Sequence, residues 1–162
     1  MFIPSKKVHN EYGDFDSDTE WLVFKQIILP MQEQGLIDGL ELHKTYEIIP
    51  KLTIQVPVVL KTKTKYVERV LEQAARYTCD FFYRSVQDDT IHIVEVKSNF
   101  SARARDYPLR RKLIRRKIVE WNNELGWEKY KFDEYKETDI VMEKKVRKPK
   151  KKKQHGKEDN IG

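Results

Sequence analysis

The chain has 162 residues, 39% of them apolar and 36% charged, enough for one packed domain but not comfortably for two. Its net charge of +6 lies wholly in residues 143–162, which carry nine basic residues against three acidic, whereas residues 1–142 carry 23 of each. A single cysteine, Cys79, excludes an internal disulfide and a multi-cysteine zinc site, and no apolar run approaches the ~18 residues of a membrane span. Met1 to Glu11 lacks the apolar stretch of a secretory signal, so the expectation is a soluble, cytoplasmic protein.

The first fifteen residues are polar, with Pro4 and Gly13, and read as irregular. Ser17-x-x-Glu20 fits a capping box, and Trp21, Phe24, Ile28 and Met31 follow at helical spacing. Pro30 is expected to kink this helix or end it early, and Gly35 and Gly39 bracket its exit. Leu40 to Pro50 reads as one strand. Leu52 to Leu60 reads as another, in which Pro57 favours an edge or a bulge. Lys61 to Lys65 reads as a loop. Val67 to Arg76 stays ambiguous: Val67, Val70, Leu71 and Ala74 match a helix, yet the segment runs straight into the apolar run at Tyr77.

Two apolar runs, Cys79 to Tyr83 and Ile91 to Lys97, flank a polar bend at Gln87-Asp88-Asp89 and predict a β-hairpin. Side chains at i and i+2 share a strand face, so Glu95 and Lys97 project together, and antiparallel pairing brings Asp80 toward them. Two carboxylates and a lysine on otherwise apolar strands are costly to half-bury unless they bind something, and a divalent metal with an activated water is the obvious candidate. The competing reading is an ordinary Glu–Lys pair on a solvated face. Cys79 reads as a small apolar filler. The four histidines share no spacing, and His92 has the wrong parity to join Glu95, so none is assigned to a site.

Pro108 opens a second helix, with Leu109, Leu113, Ile114, Ile118 and Trp121 as its apolar stripe and Gly126 as its stop. Arg110, Arg111, Lys112, Arg115, Arg116 and Lys117 crowd six cations into eight residues, a density suited to phosphate contacts or to a solubilising face. Arg103 and Arg105, just before this helix, are placed to add phosphate contacts, or are ordinary loop arginines. Trp127 to Tyr135 reads as a last strand. Residues 143–162 read as a disordered basic tail that is a non-specific polyanion contact or a solubility tail. The fold class is α/β: a single domain over residues 1–142, with a mixed central sheet flanked by helices.

At this point the chain resembles the PD-(D/E)XK, or restriction-endonuclease-like, nuclease superfamily, and within it a small phage-associated family of unknown function. The residues that carry the likeness are Phe15-Asp16-Ser17-Asp18-Thr19-Glu20, Gly35-Leu36-Ile37, Tyr46 to Pro50, Tyr77 to Phe81, Glu95-Val96-Lys97 and the basic Leu109 to Leu113. They span roughly residues 14 to 135; Cys79 stands where the superfamily name has proline, and the stretch from Val56 to Gln73 aligns poorly and reads as an insertion. The resemblance implies that Asp80 and Glu95 are metal ligands, joined by the Val96 carbonyl and by Glu20 as the upstream acid, and that Lys97 is the catalytic lysine. Without the resemblance, Glu20 reads better as part of the cap alone. The resemblance further implies a Mg²⁺ cofactor, with Mn²⁺ as substitute, and duplex or branched DNA, such as a Holliday junction, as substrate. Its setting would be phage or mobile-element DNA processing, with a homodimer as the state in which resolvases of this fold act. The rival is a non-catalytic DNA-binding or interaction protein that keeps the fold.

Overall fold

A computed structural model describes residues 6–99 and 105–142. The expectations for Arg103 and for the tail at 143–162 lie outside the described residues.

A four-stranded mixed sheet in the order β10-β9-β8-β3 forms the centre. Strands β3 (Ile37–Leu42), β8 (Phe81–Ser85) and β9 (Ile91–Lys97) are antiparallel neighbours, and β10 (Tyr130–Lys136) lies parallel to β9. The parallel step is bridged by α3 (Tyr107–Leu125), as a parallel pair requires a crossover. α3 starts one residue before Pro108 and stops at Gly126, whose φ of 77° suits glycine and whose N–H closes on Asn122.

The sheet separates two apolar clusters. On one face α1 (Asp18–Val23) and the following helical turns pack Val23, Phe24 and Ile28 against Phe15, Ile37, Phe81, Tyr83, Val94 and Val96. On the other, Ile114 and Ile118 of α3 meet Tyr77, Cys79 and Ile93. Alternation along β9 follows: Val94 and Val96 face α1, and Ile93 faces α3.

Several expectations are corrected. The helix does not end at Pro30; a π-helical turn (Phe24–Ile28) precedes α2 (Leu29–Glu33), and this wider turn accommodates the proline ring and its missing N–H. The first fifteen residues contain a hairpin, β1 (Val8–Asn10) with β2 (Gly13–Phe15). The strand expected over Leu40 to Pro50 is two, β3 and β4 (Thr45–Ile49), broken at His43, whose φ is 54°. The ambiguous Val67 to Arg76 is extended: β6 (Thr64–Glu72) pairs with β5 (Leu52–Val59), and β7 (Ala75–Thr78) pairs with β4. Pairing across the chain outweighs a local helical spacing there. Pro57 is tolerated because both strands of a two-stranded ribbon are edges. The last strand begins at Tyr130 rather than Trp127, and Leu109 is 61% exposed, outside the buried stripe of α3. Among the described residues no helix is long and apolar enough to cross a membrane.

Candidate active site

The site gathers where β8 begins and β9 ends. The ladder between these strands runs from Arg84–Ile91 to Phe81–Val94, so the same register carried one residue on sets Asp80 across from Glu95. The Asp80 N–H donates to the Val94 carbonyl at 2.9 Å. The Asp80 carboxylate then takes the Val96 N–H at 2.6 Å, which fixes its position at the strand entry. What the structure shows of Val96 is therefore an amide that holds Asp80.

Glu95 is buried on the α3 face. The Tyr77 hydroxyl donates to its Oε2, and the Lys97 ammonium lies 2.5 Å from its Oε1. Lys97 also stands over the Tyr107 ring, 4.1 Å from its centre, at the first turn of α3. Lys97 is thereby held between a carboxylate and an aromatic face rather than left on a mobile stem. The parity argument from the sequence describes this pair correctly: residues 95 and 97 share a face and touch.

Glu20 comes in from the other helix. Ser17 caps α1 by accepting the Glu20 N–H at 3.1 Å, while the Glu20 carboxylate accepts the Asp16 N–H at 2.9 Å. That is a capping box displaced by one residue. Its other oxygen meets His43 Nε2 at 2.7 Å, so the cap and the site share one side chain. Glu20 is 2% exposed, and burial raises its pKa despite the His43 contact and the Asp16 N–H, which pull it down.

Electrostatics tie these parts together. Burial, then the charges of Glu95 and Glu20, push the Asp80 carboxyl well above the usual carboxylate range; the Val96 N–H and Lys97 pull the other way. The charges of Glu95 and Glu20 are thus both felt at the Asp80 carboxyl. Cys79, next in line, is buried, and desolvation with the Asp80 charge pushes its thiol up to about 12. It is an inert filler, as expected from its place on an apolar run.

Two additions to the predicted set belong here: Asp16 with His43 beside Glu20, and Glu134. Asp16, Glu20 and His43 offer ligand atoms all within 4.8 Å of one another, and His43 Nε2 lies 3.7 Å from Asp16 Oδ2. His43 reaches this place because its N–H bonds the Asp80 carbonyl at 3.1 Å, which staples the β3–β4 turn to the β8 entry. Asp16 stood in the same short motif as Glu20, whereas nothing in the spacing of His43 announced it. Glu134 is the other: it pairs with Glu95 across the parallel ladder, accepts the Tyr107 hydroxyl, and has Arg111 at 3.5 Å.

The predicted phosphate-binding residues divide. Arg110 sits 6.0 Å above the Tyr77 ring and Arg111 beside Glu134, so both border the site. Arg116 is an exposed residue paired with Glu120 at 3.1 Å. Lys112 and Arg115 are exposed, with no ion pair among the described residues. Arg105 is exposed in the turn before α3. His92 is engaged elsewhere, with Asp133 and Thr90, and stacks on Tyr83.

No family model, curated protein or solved structure matches this chain.

Proposed function

We propose that this chain is a Mg²⁺-dependent DNA endonuclease with a restriction-endonuclease-like domain, acting in phage or mobile-element DNA processing. The observation that carries the reading is Asp80 standing across from Glu95, whose carboxylate holds the Lys97 ammonium at 2.5 Å, while burial and the charges of Glu95 and Glu20 hold the Asp80 carboxyl well above its ordinary range. Buried like charges are costly unless a counter-charge offsets them. The donor set fits a hard divalent cation, because carboxylate oxygens suit Mg²⁺ or Mn²⁺ and each carboxylate keeps lone pairs beyond the contacts described. Glu20, Asp80 and Glu95 would hold the ion, which when bound supplies charge neutralisation at a scissile phosphate and acidifies a water.

The remaining chemistry belongs to the chain. Lys97, pinned by Glu95 and Tyr107, donates hydrogen bonds to an attacking water or to the phosphate oxygen on which charge develops. Tyr77 orients Glu95 and keeps it from rotating away. Arg110 and Arg111 at the rim, with Lys112 and Arg115 along α3, take the flanking phosphates. Duplex and branched DNA, including four-way junctions, both suit such sequence-independent contacts, and a homodimer would serve paired cuts.

A nicking assay on plasmid and four-way-junction DNA with Mg²⁺ or Mn²⁺ tests the proposal. Cleavage by the wild type, lost in Asp80→Ala and in Lys97→Ala, is the expected result. Undiminished cleavage in both variants would sink the site. DNA binding without cleavage by the wild type would move the chain to the non-catalytic reading.

A further inference from the structure

Strands β5 and β6 pair with each other and, among the described residues, with no other strand. A two-stranded ribbon alone is marginal in water. Its eight-residue β5 carries the tip roughly 25 Å from the root at about 3.3 Å per residue. The root is continuous with β4 and β7, and β7 carries Tyr77, the partner of Glu95. Beside the root, Ile48 and Pro50 share a cleft of about 240 Å³ with Arg116 and Lys117 of α3. The end of β4 that leads into the ribbon thus adjoins α3.

The charge of the ribbon is sorted along its length. Between Val56 and Val67 there are three lysines, Lys61, Lys63 and Lys65, and no acid. All three are exposed and have no ion pair among the described residues. The acids Glu68 and Glu72 lie toward the root, where Lys51 holds Glu68 at 3.3 Å. The tip is also apolar without being buried: Val59 is 80% and Tyr66 66% exposed. The register pairs Pro57 with Tyr66 and Val59 with Thr64, so Val59 and Tyr66 share a face.

We infer that the β5–β6 ribbon is an arm that lays its lysine tip on the phosphate backbone of duplex DNA, with Val59 and Tyr66 against the groove wall. The choice of DNA rests on the nuclease reading. A two-stranded ribbon fits the major groove of a duplex. Pairing of two copies tip to tip would instead bring three unpaired lysines against three more, which argues against self-association as the use of this surface.

The test is binding of a fluorescently labelled duplex by the full chain in EDTA, so that cleavage is silent. Wild type is compared with Lys61→Glu/Lys63→Glu/Lys65→Glu and with the triple alanine variant, each checked by thermal melting. Loss of about tenfold or more in affinity, with the slope of log K against log salt shallower by about 2 to 3, is the expected result. Unchanged affinity and slope in melting-competent variants overturns the arm. So does a wild type that self-associates through Val59 and Tyr66, shown by sedimentation of Val59→Glu/Tyr66→Glu, while the lysine variants bind DNA normally. The two readings fail separately. Asp80-dependent nicking with ribbon-independent binding sinks only the arm, and ribbon-dependent binding without metal-dependent nicking sinks only the nuclease.

Discussion

His43 Nε2 stands 2.7 Å from Glu20 Oε1, joining a turn between two strands to a carboxylate that is almost wholly buried at the start of α1. His43→Ala strips that oxygen of its partner and leaves the Asp16 N–H as the remaining contact described for the carboxylate. The expected cost is about 1–3 kcal/mol in urea unfolding at pH 7. Adding Glu20→Gln to His43→Ala should restore part of the loss, because the pair acts as a unit. Full additivity of the two changes would show that the contact carries no stability.

Asp80 sets a pH dependence of definite sign. Its folded-state pKa lies above the ordinary 3.8, so over that window the folded protein binds more protons than the unfolded one. Stability from this group is present at low pH and declines as pH rises through the raised pKa. Asp80→Asn removes the charge, so the variant should gain on the wild type as pH climbs above 3.8. Melting curves in a metal-free buffer series check this; a gain that shrinks with rising pH would contradict it.

Divalent cations should stabilise the wild type and not Asp80→Asn. Thermal melting in EDTA, Mg²⁺ and Mn²⁺ reads this directly, since a ligand that binds only the folded state raises its melting temperature. An equal shift in wild type and variant would place any bound ion away from Asp80.

Lys97→Met should keep the fold and the metal response but lower nicking by about 10²–10³-fold, the usual cost of removing one preorganised donor to developing charge. Single-turnover cleavage separates this from a binding defect. Nicking by Lys97→Met at the wild-type rate would remove Lys97 from the chemistry.

Tyr77→Phe tests positioning. Its hydroxyl touches Glu95 but no expected reacting group. A drop of about 10–100-fold in metal affinity or rate is expected, as for other groups that orient a ligand. The Mn²⁺ titration should move with the rate; a rate loss at unchanged affinity would give Tyr77 another task.

The hairpin around Asp80, Glu95 and Lys97 was legible because everything it needs is local: alternation, a polar bend and a parity rule. The cap at Ser17 and the start of α3 at Pro108 were legible for the same reason. Glu20 held two readings in the sequence, cap and site; one carboxylate oxygen completes the cap and the other meets His43. The N-terminal hairpin and the π-helical turn that precedes Pro30 were missed, since a short strand needs its partner and a proline can be absorbed after a wider turn.

The sequence by itself determined the mixed α/β class, the balanced charge of residues 1–142 against the basic charge after them, and which face Glu95 and Lys97 share, because composition and side-chain parity do not depend on distant partners. Only the tertiary structure decided that Val67 to Arg76 is extended, that Tyr77 and Glu134 flank Glu95, and that His43 lies against Glu20. Those relations join residues 11 to 39 positions apart, and only the packing of separate elements brings such residues together.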